Sequence, residues 1–217
     1  MTEITLVRHG QANSGAQDEA NYDRLSELGH QQAAWLGEHL QTVSPYDRII
    51  SGAMRRQIET AQGLNRSALP HDTDPRLNEL DYFGLAESLK NTHGIPIPTC
   101  APEFASHVPQ VLDVWRNGGI HPDIESYAAF HDRIFGALHA AASCGERCLL
   151  VTSTGVISTL TAIALGLETA AKVKMFLSVT HTSVHKFELR GDDLYLTQFG
   201  ATPHLDHPDR QHAKTHV

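Results

Sequence analysis

Ile4-Thr5-Leu6-Val7-Arg8-His9-Gly10 is the stretch that decides the fold. Its first four residues are apolar or β-branched and read as a buried strand, which stops on two basic side chains and a glycine. Ser26 is a fitting N-cap, and Leu28, Ala33, Leu36 and Leu40 share one face of a helix over 26–40. Pro45 and Tyr46 punctuate the chain, Arg48-Ile49-Ile50-Ser51 reads as a second strand, and a second helix follows over about 53–64. Strand–helix–strand–helix is the order that builds a mostly parallel sheet covered by helices on both faces.

Residues from about 80 to 125 break this rhythm with Pro96, Pro98, Pro102, Pro109 and Pro122, and read as an inserted cap with at most short helices. An Ala-rich helix over about 126–143 precedes Cys148-Leu149-Leu150-Val151-Thr152, the strongest strand signal in the chain. Helices over about 155–165 and 168–177 come next. Two runs, Val184 to Leu189 and Leu194 to Phe199, then form a hairpin around Arg190-Gly191-Asp192-Asp193. The expectation is one α/β domain over residues 1–217, with a largely helical or irregular cap and a tail, about 206–217, that frays.

A chain of 217 residues, 41% hydrophobic and 19% charged, is ample for one buried core. Its net charge of −8 argues against a nucleic-acid or membrane-surface partner. No apolar run approaches the ~18 residues of a membrane span. The start, Met1 to Thr5, has no signal-peptide pattern, and Cys100, Cys144 and Cys148 have no metal-type pairing, so a reducing cytoplasm is expected. The 15 histidines are the compositional oddity.

In open parallel sheets, ligands sit outside the carboxyl ends of strands, where Arg8 and His9 would project. A neutral imidazole attacks phosphorus, and a guanidinium binds two phosphoryl oxygens in its fork. After the second strand, Arg55 and Arg56 open the next helix. That end prefers acidic residues, so two arginines there point to a bound anion.

Leu6-Val7-Arg8-His9-Gly10 resembles the phosphohistidine loop of the histidine phosphatase superfamily, which includes the cofactor-dependent phosphoglycerate mutases. Gly52-Ala53-Met54-Arg55-Arg56 with Thr60-Ala61 is similar to its arginine segment and places the family's arginine on Arg56. Leu77-Asn78-Glu79 resembles its proton-donor segment, Glu125-Ser126 with Arg133 its post-cap helix start, and His204-Leu205 a late His-Leu pair. The resemblance spans about residues 4–205 and implies covalent phosphoryl transfer. His9 would attack, Arg8 and Arg56 would bind the equatorial oxygens, and Glu79 would protonate the leaving group and then activate water. It implies no metal and no cofactor.

The family's second histidine is missing. Here the stretch runs Val151-Thr152-Ser153-Thr154-Gly155-Val156-Ile157, which puts Ser153 in its place, or Thr154 if shifted by one. Both are therefore expected as phosphate-binding hydroxyls. Three outcomes stay open: a slower or retuned phosphatase, a phosphate-ester-binding protein without useful turnover, or recruitment of another histidine, with His181 as nominee. Restoring the imidazole by Ser153→His is expected to raise activity. The cap brings only His93 and His107 as potential cations between Asn91 and Pro109, which favours hydrolysis of a small monoester with few charges over mutase chemistry. The expected partner is that small phosphorylated substrate, and a homodimer stays open. Arg190-Gly191-Asp192 reads as a hairpin turn rather than an integrin ligand, the tail histidines His204, His207, His212 and His216 as solvated, and Trp35 and Trp115 as packing residues.

Overall fold

The computed structural model describes residues 2–13, 22–43 and 46–216; Met1 and Pro45 lie outside the described residues. In chain order its elements are β1 (Thr2–Arg8), α1 (Glu27–Val43), β2 (Arg48–Ser51), α2 (Arg55–Leu64) and β3 (His71–Thr73). After a 3-10 turn at Pro75–Leu77 come α3 (Tyr82–His93), α4 (Ala101–Arg116), α5 (Tyr127–Ser143), β4 (Cys148–Thr152), α6 (Thr154–Leu165) and α7 (Thr169–Ser178). The hairpin β5 (Val184–Arg190) and β6 (Asp193–Ala201) and two further 3-10 segments, Pro203–Leu205 and Pro208–Ala213, complete it.

The strands form one sheet in the order β3-β2-β4-β1-β5-β6. Strands β1, β2, β3 and β4 are parallel, β5 runs antiparallel to β1, and β6, antiparallel to β5, returns in the direction of the parallel strands. This is the α/β class expected. Arg8 stands opposite Thr152, and Ser51 opposite Val151, so the carboxyl ends of β1, β4 and β2 lie side by side. Because β5 is antiparallel, pairing Val184 with Val7, the loop entering β5 arrives at this same edge.

Strand alternation separates two apolar layers. Val7, Ile49, Leu149 and Val151 pack with Leu36 of α1 and Ala61 and Leu64 of α2. Leu6, Leu150 and Phe187 pack with Phe130, Ile134 and Leu138 of α5 and with Val156, Ile157 and Leu160 of α6. Ser26 caps α1 by accepting the Gly29 N–H at 3.0 Å, and Ser126 caps α5 by accepting from Ala129 at 3.1 Å.

Two sequence expectations need correction. The cap holds two full helices, of 12 and 16 residues. Pro102 occupies the first turn of α4, where no N–H partner is lost, and the helix carries Pro109 inside it. Buried Leu85, Leu89, Val108, Val111, Leu112 and Trp115 tie both helices to the main core. Nor is the tail frayed through residue 215. Ala213 is fully buried, its carbonyl accepts from Gln32 Nε2 at 2.7 Å, and the Thr215 carbonyl accepts the His181 N–H at 2.9 Å.

Candidate active site

The end of β1 is clamped from both sides. The Arg8 N–H donates to the Ser183 carbonyl at 3.1 Å, and the His9 N–H donates to the Thr152 carbonyl at 2.9 Å. The Gly10 N–H then donates to Thr60 Oγ1 at 2.9 Å. A Cβ at Gly10 would sit 2.6 Å from the Gly29 carbonyl oxygen, so no larger residue fits. His9 Nδ1 lies 2.7 Å from the Gly10 carbonyl, which only accepts, so Nδ1 bears the proton and Nε2 keeps its lone pair. Burial, reinforced by the charges of Arg56 and Arg8, holds this imidazole well below its ordinary pKa. His9 is thus a neutral base with Nε2 bare.

Arg8 is buried and donates to the Val179 carbonyl through Nη1. Burial lowers its pKa to about 10, which leaves it cationic at neutral pH. Arg56, only 4% exposed, pairs with Asp23 at 2.9 Å and lies over the Tyr22 ring at 5.2 Å. The same carboxylate accepts the Arg55 N–H at 3.0 Å and the Arg56 N–H at 3.2 Å. The chain therefore supplies its own anion to the basic start of α2, a partner that sequence reading missed.

Glu79 approaches from the loop before α3. Its carboxylate receives the Gly155 N–H at 3.0 Å on each oxygen and the Leu80 N–H at 3.0 Å. A Cβ at Gly155 would fall 2.1 Å from Glu79 Oε1, so the absence of a side chain there is what admits the carboxylate. Arg133 holds this loop. Its Nη1 donates to the carbonyls of Arg76 and Asn78 at 2.7 and 2.8 Å, and Glu125 pairs with its other side at 2.6 Å.

Ser153 is fully buried and accepts from Gln57 Nε2 at 2.8 Å. The Thr154 hydroxyl instead donates to the Phe176 carbonyl at 2.8 Å. Its proton is committed to α7, which corrects the expectation that it donates to phosphate.

His181 lies in the loop before β5, its ring centroid 5.8 Å from that of His9 and tilted 53° to it. Next to it, Thr182 takes the left-handed φ of +57°, unusual for a β-branched residue. Its N–H donates to the Arg8 carbonyl at 3.1 Å and its hydroxyl to the His181 carbonyl at 2.7 Å. His204 Nε2 completes the arrangement by donating to that hydroxyl at 2.8 Å. His204 is buried, not solvated as expected from sequence.

Lys172, on α7 and 3% exposed, also went unread in the sequence. Its Nζ lies 3.2 Å from the Tyr127 hydroxyl. Burial depresses its pKa to about 7, against the opposing pull of Glu79. His107, expected as a cap cation, is buried beside the Tyr82 hydroxyl at 2.8 Å, and desolvation lowers its pKa.

Among the described residues, one group of three potential metal ligands occurs: Cys144, Glu146 and Cys148, within 4.8 Å of one another. It lies at the start of β4, the opposite end from His9. Glu146 is already paired with Arg48 at 2.6 Å, and burial pushes the Cys148 thiol up to about 12. A groove of about 410 Å³ between α1 and the end of α2, lined by Leu40, Tyr46 and Leu64, carries none of Arg8, His9, Arg56, Glu79, Ser153 and His181. No helix among the described residues is long and apolar enough to cross a membrane.

Fold and site together define an α/β protein with two guanidiniums, two imidazoles and a carboxylate gathered at the strand ends of a mainly parallel sheet. The sequence matches the histidine phosphatase superfamily (branch 1) over residues 4–202, and the chain belongs to that superfamily. No curated protein matches it. Among solved structures it is similar to YhfR of Bacillus stearothermophilus, with a TM-score of 0.66 and 23% identity over 94% of this chain and 99% of that one. A mycobacterial glucosyl-3-phosphoglycerate phosphatase with inorganic phosphate gives a TM-score of 0.67 and 22% identity over 95% of this chain and 100% of that one. A mutant phosphoserine phosphatase from Entamoeba histolytica, in complex with phosphoserine, gives 0.66 and 20% over 94% and 100%.

Proposed function

We propose that the protein is a phosphomonoesterase that works through a phosphohistidine on His9. The observation that carries this reading is the tautomer of His9: Nδ1–H tied to the Gly10 carbonyl, leaving a bare Nε2 on a ring that feels the charges of buried Arg56 and Arg8. In the first half-reaction, Nε2 attacks phosphorus and forms the N–P bond while the ester P–O bond breaks. Glu79, protonated, gives its proton to the departing alkoxide. In the second half-reaction, water attacks phosphorus, Glu79 accepts its proton, the N–P bond breaks and inorganic phosphate leaves. Arg8 and Arg56 hold the equatorial oxygens, where charge concentrates. Their fixed positive field takes the part a metal plays in other phosphatases.

Two structural neighbours, a phosphoserine phosphatase in complex with phosphoserine and a glucosyl-3-phosphoglycerate phosphatase, support a phosphate ester as substrate class. Buried Lys172, whose pKa burial lowers to about 7 against the opposing pull of Glu79, adds a partly protonated ammonium beyond the two arginines. That supports a small ester with at most one further acidic group.

The test is hydrolysis of p-nitrophenyl phosphate by the purified chain with EDTA present. Turnover is expected, His9→Ala is expected to be inactive, and a phosphoenzyme labile to acid and stable to base is expected on rapid quenching. Turnover that survives in His9→Ala would overturn the reading.

A further inference from the structure

The hydrogen bonds around His181 bear on which ring nitrogen carries its proton. Gln32 is fully buried, and its Oε1 accepts the Gln11 N–H at 2.8 Å, which sets the amide orientation. Its two Nε2 protons go to the Ala213 carbonyl at 2.7 Å and to Thr215 Oγ1 at 3.0 Å. A hydroxyl that receives a proton from Gln32 turns its own proton elsewhere, and His181 Nδ1 stands 2.9 Å away. The Thr215 carbonyl, at 3.1 Å from Nδ1, already accepts the His181 backbone N–H at 2.9 Å. That carbonyl keeps a second lone pair, so the hydroxyl contact decides: with Thr215 Oγ1 donating to it, Nδ1 accepts and the ring proton sits on Nε2, at the edge facing away from Thr215.

His9 has the reverse assignment. Its Nδ1 donates and its Nε2 is bare. With Thr215 Oγ1 as donor, two buried imidazoles with centroids 5.8 Å apart hold opposite tautomers, one presenting a lone pair and the other an N–H. Burial and the nearby charge of Arg8 keep His181 well below its ordinary pKa, in keeping with a neutral donor. Among the described residues Nε2 has no hydrogen-bond partner.

We propose that His181 is a catalytic residue whose Nε2–H donates to a non-bridging oxygen of the phosphoryl group on His9, with Thr215 as the positioning residue that sets its tautomer. The proposal rests on the phosphoryl-transfer reading above. It places the second imidazole of the site on the β5 loop, while the α6 N-terminus carries Ser153. It also gives the folded tail a function, since the hydroxyl that selects the tautomer belongs to residue 215.

The experiment compares wild type, His181→Ala, Thr215→Val and Thr215→Ser, each checked for an unchanged circular dichroism spectrum. Long-range 1H–15N spectra of histidine-labelled protein are expected to show His181 as the Nε2–H tautomer in wild type and Thr215→Ser. In Thr215→Val the Thr215-position carbonyl becomes the remaining acceptor, and the ring is expected to switch to Nδ1–H. For p-nitrophenyl phosphate, His181→Ala is expected to lower kcat and kcat/KM together by roughly 10²–10³, the usual loss for one preorganised donor. Thr215→Val is expected to lose at least tenfold, and Thr215→Ser to restore the rate. Titration with inorganic phosphate is expected to shift the His181 Nε2–H signal even if wild type proves inactive, which separates failure of this proposal from failure of the phosphatase reading. An Nδ1–H tautomer in wild type, an unmoved signal with phosphate, or full activity in His181→Ala would each overturn it.

Discussion

Gln57 Nε2 donates to Ser153 Oγ at 2.8 Å, and the second Nε2 proton goes to the Leu77 carbonyl at 3.2 Å. Gln57 thereby turns the Ser153 hydroxyl proton away from itself, as Gln32 does for Thr215. Ser153 occupies a fully buried space bounded by Gln57, so an imidazole there has to displace that amide. Ser153→His is accordingly expected to overpack the site, lower stability by about 1–3 kcal/mol and fail to raise activity, contrary to the expectation from sequence alone. Ser153→Ala is expected to lose roughly 1–3 kcal/mol by stranding a buried Gln57 N–H, with a smaller fall in kcat than His181→Ala. Thermal melts and p-nitrophenyl phosphate kinetics on the same preparations check both.

Arg133 touches the backbone around Glu79 rather than the reacting atoms, so its effect is expected to depend on the leaving group. Its guanidinium bridges Glu125 and the carbonyls of Arg76 and Asn78. Arg133→Met is expected to release the loop and misplace Glu79, the proposed proton donor. Alkyl phosphates, whose alkoxides need that proton, are expected to slow by roughly 10²-fold or more. p-Nitrophenyl phosphate, with a stable phenolate leaving group, is expected to slow far less. Equal losses on both substrates would mean that Arg133 does not act through Glu79.

The parallel strands were legible because β1, β2 and β4 are short apolar runs with a period that one window reveals. β3 was not: His71-Asp72-Thr73 is three polar residues whose strand character comes only from pairing with β2. The cap helices were hidden by prolines that read as breakers, although Pro102 sits in a first turn and Pro109 is tolerated. Arg8 and His9 stood out because they belong to a local pattern, and Glu79 only through the family segment that its stretch resembles. Asp23, Gln32 and Thr215 did not, since their significance lies in partners far along the chain, 183 residues apart for Gln32 and Thr215. His181 sits between these cases. Its nearness to His9 follows from the antiparallel direction of β5, which a hairpin pattern alone does not orient.

Acid sensitivity is expected to be steep. His9 and His181 are held well below an ordinary pKa of 6.5, and burial takes His185 and His204 to about 3. All four stay neutral in the fold while the unfolded chain binds protons below pH 6.5. The unfolded state then carries the larger number of protons, so stability is full above that pH and falls as pH drops below it. With four such groups the slope approaches roughly 5 kcal/mol per pH unit. Urea midpoints between pH 7.5 and 4.5 measure it, and a flat profile across that range would contradict neutral burial of these rings.

Lys172 makes the opposite prediction about substitution. Its ammonium is buried beside Tyr127, near the charges of Glu79 and Arg116, and its pKa falls from 10.5 to about 7. Between those two values the unfolded chain binds a proton that the folded chain has released. The penalty for burying the charge is therefore complete at and below pH 7 and disappears as pH rises towards 10.5. Lys172→Met keeps the length and apolar stem while deleting the charge. At pH 7 it is expected to stabilise the fold by roughly 1–4 kcal/mol, the range seen when buried ionic groups give way to apolar ones. The gain should shrink steadily in urea titrations repeated at pH 8, 9 and 10. A gain independent of pH would assign the effect to packing, and a loss at every pH would mean that the ammonium is held by Glu79 strongly enough to outweigh its desolvation. The same variant is expected to raise KM for esters carrying a carboxylate and to leave p-nitrophenyl phosphate, which lacks one, nearly unaffected.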